Sequence, residues 1–307
     1  MDSFNDSKYA NLMESLIHDT QYVKTSNMGK MALLRKHAEV LVRKILNIGD
    51  SIKLMLGQVR TNSNNSTVKD RISNLDNDLS SKLIEIVSKI NPLGNAGTHT
   101  QHTDEFTDEE VANVEDAILE LYALMFIKYF LDIDVNIFST PQVLRTFSFL
   151  PPIIRFKTWN YLFEKDKNNI MVVDKLCLSI IKTFNKEKAY NWLNDNEEMI
   201  KAIPYPTKQE IQRYNIINTT EISPGEYGAL VSLNFDKYTN MYDLLYDKIN
   251  DSRTSVNESG KMYKNFEEAI EHYQNNISMM LNDSKEMETL FSLMEFIFMG
   301  RKSKNEI

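Results

Sequence analysis

The sequence contains a single cysteine, Cys177, among its 307 residues, so the chain cannot form an internal disulfide. The residues around it are mostly apolar, which is typical of a buried small side chain and not of an activated thiol. The first residues lack a basic stretch followed by an apolar run, so no secretory signal is expected. Together these absences predict a protein of the reducing cytoplasm.

Glycine and proline are also scarce, with 9 and 7 copies, and few positions can therefore break a helix or form a tight turn. Signals for β-strands are confined to residues 147–150 and 229–233, and both stretches fit helices equally well. We therefore predict an all-α fold.

The chain has no apolar run near the ~20 residues that a membrane span requires, so we expect no membrane partner. Its formal net charge of −8 argues against broad coating of nucleic acid, because such binding depends on neutralising phosphates. A small RNA site, or one assembled from two chains, stays open. The phosphate-loop, dinucleotide-binding and zinc-ligand motifs are missing, so we predict no cofactor and no metal.

Apolar spacing predicts helices along the first 131 residues. A short helix is expected around residues 9–17 and a long amphipathic one over residues 30–56, with a bend near Gly49. A further helix follows a polar loop at residues 61–66, and Pro92 is expected to end it. Thr107 and Glu110 form a capping-box pattern, which predicts the start of a deeply packed helix that reaches residue 131.

The second half has shorter helical patterns interrupted by prolines, and a boundary is expected within residues 132–141. We predict two domains, residues 1–135 and residues 136–307. The helices expected in the second half are residues 152–163, 169–184, 186–202, 208–214, 230–249, 263–281 and 284–299.

Residues 93–99 form a glycine-containing turn that ends in His99 and precedes a long helix. A histidine changes protonation near neutral pH, and free amides at a helix start attract anions. Cleavage of RNA without a metal needs a base, an acid and donors to the phosphate oxygens. His99 is therefore our candidate acid or base, with Asn95 as a polar residue that orients it or the phosphate.

The turn at residues 90–99, together with the basic helix before it and the capped helix after it, resembles the HEPN ribonuclease superfamily. The similarity is to a bacterial branch with a Leu-Gly-Asn turn followed by His, and it covers roughly residues 8–131. The resemblance implies an antiparallel helical bundle, metal-independent RNA cleavage, a homodimer, and a role in bacterial defence by abortive infection or as a toxin. The second half would then sense a trigger or hold the enzyme inactive, and a protein trigger or inhibitor is a possible partner.

HEPN nucleases typically carry an Arg shortly before the His, where this chain has Pro92, Leu93 and Gly94. The positive charge must come from elsewhere if the resemblance extends to activity. Our candidates for RNA binding are Lys89, Arg35 and Arg43, or a cation from a second subunit.

Each candidate also has a structural interpretation. His99 is equally explained as a histidine that satisfies the turn, and Asn95 as a residue that tolerates left-handed backbone. Arg35 and Glu39 are spaced as a helix-surface ion pair. His99 and His102 lack enough neighbouring ligands for a metal, and His37 is expected to be a packing residue.

Three functions remain open at this point. The first is a HEPN-like endoribonuclease with His99 in an acid or base role. The second is a non-catalytic HEPN-derived module that binds a protein or nucleotide partner. The third is a helical scaffold whose turn resembles the superfamily by chance.

Overall fold

The computed structural model describes residues 3–96, 105–223, 226–229, 233–251, 254, 263–277 and 284–307. Over these residues the chain forms α-helices and one two-stranded antiparallel hairpin, which confirms the predicted helical class. The helices are α1 (Asp6–Ile17), α2 (Asn27–Leu46), α3 (Ser66–Ser73), α4 (Asn77–Ala96), α5 (Asp108–Asp132), α6 (Pro141–Phe147), α7 (Pro152–Lys165), α8 (Ile170–Thr183), α9 (Lys186–Asp195), α10 (Glu197–Lys201), α11 (Lys208–Ile217), α12 (Met241–Asn250), α13 (Phe266–Asn276) and α14 (Lys285–Phe298). The hairpin strands are β1 (Thr219–Ser223) and β2 (Glu226–Ala229).

The chain divides into two compact units. The first comprises Met1–Lys128 together with Glu295–Ile307, and the second comprises Tyr129–Met294. The C-terminal segment thus packs with the first unit, whereas the sequence placed it in a domain of residues 136–307. That each half folds as a domain of its own stays a prediction.

Helix α2 is central to the first unit, where it packs against α1, α3 and α4. Its buried face consists mainly of aliphatic side chains, as the spacing of its apolar residues predicts. The buried residues of this helix are Met31, Leu34, His37, Ala38, Val40, Leu41, Val42, Ile45 and Leu46.

Three polar contacts join α2 to the start and middle of α5. Asn27 donates to the side chain of Asp108 at 2.9 Å, and Lys30 pairs with Glu115 at 2.8 Å. About two helical turns after Lys30, the Nε2 atom of His37 lies 2.8 Å from the hydroxyl oxygen of Tyr122. The contacts advance in the same direction along both helices, so α2 and α5 run parallel. The first and third helices of an up-and-down bundle are likewise parallel. That this bundle is HEPN-like stays a prediction.

Two predicted helix ends in this unit are wrong. Helix α2 ends at Leu46 and does not reach residue 56, because Asn47 adopts a left-handed conformation with φ of 51°. The amide of Asn47 closes the last turn on the carbonyls of Arg43 and Lys44, a common way to terminate a helix.

Helix α4 continues through Pro92 to Ala96, although Pro92 was expected to end it. A proline inside a helix costs roughly 3 kcal/mol, since it removes one backbone hydrogen bond and crowds the preceding turn. The buried stripe of Leu79, Leu83, Ile86 and Ile90 supplies the tertiary packing that favours the longer helix. Residues 93–96 are therefore helical, and residues 97–99 lie outside the described residues.

The C-terminal segment lies against α1 at Gly300. This glycine has φ of +72°, and a Cβ atom added there would stand 2.7 Å from the Cα of Glu14. We expect Gly300→Ala to lower the free energy of unfolding by about 2 kcal/mol or more, because the left-handed backbone and the contact with α1 both oppose a side chain. Urea unfolding followed by circular dichroism measures the loss.

Gly29→Ala on α2 is the matched control for this substitution. A Cβ at Gly29 would meet its nearest atom, Ser26 Oγ, at 3.4 Å, and alanine favours a helix over glycine by roughly 0.5–1 kcal/mol. Gly29→Ala should therefore keep or raise stability. Equal losses for the two variants would show that Gly300 has no special role.

The second unit contains the end of α5, helices α6 to α13, the hairpin and most of α14. Helices α7 and α8 pack closely along their length, and α8 also contacts α9 and α12. The helix predicted over residues 186–202 is split into α9 and α10, and the one over residues 230–249 begins only at Met241. The hairpin pairs Thr219 with Ala229 and was not predicted, since its four or five residues per strand are too few for a clear pattern.

Candidate functional site

Helix α2 carries three charged residues at intervals of four, Arg35, Glu39 and Arg43. Arg35 Nε lies 3.8 Å from Glu39 Oε1, as the spacing predicts. Glu39 is half-buried, and its burial raises the pKa of the carboxyl group. The positive charges of Arg35 and Arg43 lower this pKa, but the effect of burial is larger. The acidic side chain thus lies between two cations on the same helix.

Arg43 holds the loop that follows α2. Its Nη1 atom donates to the carbonyl oxygens of Gly49 and Ile52 at 2.8 and 2.9 Å. These carbonyls have no helical partner once α2 has ended at Leu46, so Arg43 satisfies them. Arg43 therefore has a structural role in addition to its predicted contact with RNA.

Arg35 reaches helix α4 at the beginning of the predicted turn. Its Nη1 atom lies 3.4 Å from the carbonyl oxygen of Asn91, the residue before Pro92. The side-chain Oδ1 of Asn91 is buried and accepts no hydrogen bond from any described residue. Asn95 lies one helical turn after Asn91, in the last turn of α4. Of the three candidate cations, Arg35 is the one that contacts this end of α4.

Lys89 belongs to an ion-pair network between α4 and α5. Its Nζ atom lies 2.9 Å from Glu85 and 3.4 Å from Glu120, and Lys82 pairs with both of these carboxylates at 3.2 Å. Burial opposes the charge on Lys89, but its hydrogen bond to Glu85 and the negative charge of Glu120 outweigh burial and raise the pKa of Lys89. An RNA phosphate would have to compete with these two carboxylates.

His99 lies outside the described residues, and so does the side chain of Asn95. The expectation that His99 stands at the start of the long helix is wrong, because α5 begins at Asp108. The capping box is confirmed: Thr107 accepts from the Glu110 amide at 3.2 Å, and its own amide donates to the Glu110 carboxylate at 2.9 Å. In the chain, His99 instead follows the C-terminal residue of α4 by three positions.

His37 is fully enclosed between α2 and α5, in agreement with its prediction as a packing residue. Burial, together with the positive charge of Arg301, lowers the pKa of His37 to about 3. Burial also raises the pKa of its partner Tyr122, while a hydrogen bond with Arg301 acts in the opposite direction. His37 is therefore neutral at physiological pH and stabilises the unit as a hydrogen-bonding core residue.

A second polar cluster lies in the second unit and was not predicted. It consists of Arg155 on α7, Asp174 and Lys175 on α8, and Lys248 on α12, and we name it the Asp174 cluster. Asp174 is completely buried and pairs with Lys175 at 3.0 Å and with Lys248. The signal was present in the sequence, since Asp174 and Lys175 interrupt the otherwise apolar run of α8.

Cys177 lies one turn after Asp174 and is completely buried. Burial, with the nearby carboxylate of Asp174, raises the pKa of the Cys177 thiol to about 12. Because the thiolate is the reactive form, this raised pKa disfavours reaction of the thiol at neutral pH. The prediction of a buried cysteine is confirmed.

Among the described residues, no three His, Cys, Asp or Glu side chains come together in a way that could hold a metal ion. His99 and His102 lie outside that set. In the part of the chain that the structure describes, no helix combines the length and the apolar character needed to cross a membrane. No family model, curated protein or solved structure matches the chain.

Proposed function

We propose that the protein is a metal-independent, HEPN-like ribonuclease of a bacterial defence system. His99 would act as the acid or base, and Arg35 would supply the positive charge that HEPN nucleases usually take from a local Arg. The observation that carries the proposal is the contact of Arg35 with the Asn91 carbonyl, which brings a cation to the end of α4.

The helical geometry of α4 supports this assignment. Five residues separate Asn91 from Ala96, and a rise of ~1.5 Å per residue puts the end of the helix roughly 8 Å from the Arg35 contact. A guanidinium donates over about 3 Å, so a phosphate bound by Arg35 would lie beside the last turns of α4. The planar guanidinium also suits two oxygens of a phosphate at once.

The proposal includes partners that the sequence suggested. A homodimer would bring a second set of cations to His99, the second unit would respond to a protein trigger or inhibitor, and toxicity or abortive infection would follow from cleavage of cellular RNA. These partners derive from the HEPN resemblance. The net charge of −8 further restricts RNA to a local site.

A non-catalytic helical binding module is the second candidate. Two specific observations favour it: Lys89 is paired with two carboxylates, and Arg43 is bound to two loop carbonyls. In that case overproduction would be harmless, and His99→Ala would alter only stability or binding. Growth arrest that depends on His99 would count against this alternative.

Ribonuclease activity is tested on purified full-length protein with bulk cellular RNA in EDTA. We expect wild type to cut the RNA and His99→Ala to lose about 100-fold in rate, which is typical for removal of an acid or base. Arg35→Gln should also lower the rate. It keeps a polar side chain but removes the positive charge that would stabilise the phosphate in the transition state. Rates are measured from the disappearance of intact RNA on gels.

His18→Ala is the matched control, since His18 is an exposed histidine whose ring lies 3.1 Å from Asp19. It should cut RNA at the wild-type rate. Equal rates for wild type and His99→Ala would remove His99 from the mechanism and leave the binding module as the better explanation.

A further inference from the structure

The Asp174 cluster in the second unit contains more positive than negative charge. Three cations, Arg155, Lys175 and Lys248, accompany the single carboxylate of Asp174. Their side chains have little exposure: about 16% for each lysine and 6% for Arg155 as a residue. A buried charge without a partner is costly, so an excess of two positive charges requires an explanation.

Arg155 is the unusual member of the cluster. Its guanidinium makes a ring contact with Tyr263, 5.8 Å from the ring centroid, and its Nε atom has no hydrogen-bond partner among the described residues. Burial lowers the pKa of Arg155, but a guanidinium keeps its proton in proteins. Arg155 thus carries a full charge and a buried, unpartnered Nε, and no anionic partner is found for it in the described part of the chain.

The two lysines have spare donors as well. Each ammonium carries three N–H groups, and the contacts described for both lysines are with the Asp174 carboxylate. Helices α7 and α8, which carry Arg155 and Lys175, pack closely together. Burial lowers the pKa of Lys175 against the attraction of Asp174, and the charges of Lys248 and Arg155 act in the same direction as burial. Asp174 therefore holds the two lysines in position and neutralises only one of the three positive charges.

We propose that the Asp174 cluster binds the phosphoryl group of a small ligand, with Arg155 as the main donor and Lys175 and Lys248 beside it. The guanidinium fork matches two phosphate oxygens, and lysines serve phosphates as point charges. A phosphoryl dianion would offset the two excess positive charges. This inference does not depend on RNA cleavage, since it concerns the other unit and a different group of residues.

Thermal unfolding of the full chain tests the proposal. Inorganic phosphate and a nucleoside monophosphate are titrated separately, with chloride at matched ionic strength as the reference. At a ligand concentration 100 times the dissociation constant, we expect the midpoint of wild type to rise by about 5 °C. A shift with both ligands assigns the site to the phosphoryl group alone, and a shift with the nucleotide alone assigns it to a larger phosphate ester.

Arg155→Met removes the main donor while it keeps a long apolar side chain. We expect this variant to be at least as stable as wild type without phosphate, because it eliminates an unpaired buried charge, and to lose the ligand-dependent shift. Arg213→Met is the matched control in the same unit: Arg213 is exposed and lies over the Phe138 ring at 4.3 Å. It should retain the full shift.

Two results would overturn the proposal. One is a wild-type midpoint that phosphate and the nucleotide leave unchanged relative to chloride. The other is an equal shift in wild type and Arg155→Met. Should Arg155→Met fail to fold, Lys175→Met is measured in its place, and retention of the full shift in that variant would also overturn the proposal.

Discussion

Replacing Asp174 by asparagine is expected to lower the free energy of unfolding by about 3–5 kcal/mol. The carboxylate is completely buried on α8 and pairs with Lys175 at 3.0 Å and with Lys248 on α12. Burial alone would raise the pKa of Asp174, but the two lysines outweigh it and hold this pKa below its ordinary value. The charged form is therefore the one that stabilises the unit.

Asparagine has nearly the same shape as aspartate, so packing around position 174 changes little. What changes is charge, because Lys175 and Lys248 then lie buried beside each other and near Arg155 without a carboxylate. Removing one partner of a buried ion pair is more damaging than removing both, since the remaining charge is left without compensation. The loss should be measured by urea unfolding in phosphate-free buffer.

Asp195→Asn provides the control for this substitution. Asp195 is exposed at the end of α9 in the same unit, and exposed substitutions usually change stability by less than about 0.5 kcal/mol. A loss below about 1 kcal/mol for Asp174→Asn would mean that the lysines find water or other acceptors. The buried ion pairs would then contribute little to the unit.

Acidification from pH 6.5 to 4.5 is expected to cost about 2 kcal/mol of stability through His37 alone. Its pKa is 6.5 in an unfolded chain and about 3 in the folded protein, because burial and the charge of Arg301 oppose protonation. Below pH 6.5 the unfolded chain binds a proton that the folded chain does not. Stability therefore falls as the pH drops, and this contribution levels off near pH 3, where the folded state also takes up the proton.

The measurement compares wild type with His37→Gln over this pH range by urea unfolding. Carboxylates titrate in both proteins, so the informative quantity is the difference between their unfolding free energies. Glutamine can keep a hydrogen bond to Tyr122 but has no proton to gain. The advantage of wild type should therefore shrink below pH 6.5, with a slope that approaches about 1.4 kcal/mol per pH unit near pH 4.5. His18→Gln, a change at an exposed histidine, is measured over the same pH range as the control. Parallel curves for wild type and His37→Gln would contradict the inference.

The order of the helices could largely be predicted from the sequence. Helix α5 is the clearest case, because Thr107 and Glu110 form a local cap and the apolar spacing after them is regular over many turns. Both signals act between residues close in the chain. The short hairpin and helices α3 and α6 were missed, since a few residues carry too little periodicity to be recognised.

At the candidate RNA site, the sequence could not predict the partners of the charged side chains. The sequence named Lys89, Arg35 and Arg43 as candidate cations, and the structure distinguishes them because their partners come from distant parts of the chain. Lys89 meets Glu120 on α5, Arg43 meets the loop after α2, and Arg35 meets Asn91 on α4. The spacing of residues along one helix cannot show which distant group will pair with a charged side chain.

By itself, then, the sequence determined the helical class, the amphipathic faces and the α5 cap, all of which depend on neighbours within one or two helical turns. Only the tertiary structure decided that α4 continues past Pro92, that Gly300 lies against α1, and that Asp174 is buried with three cations. The reason is physical: these features depend on packing and electrostatic energies between residues far apart in the chain. Such energies outweigh local preferences of ~1–3 kcal/mol.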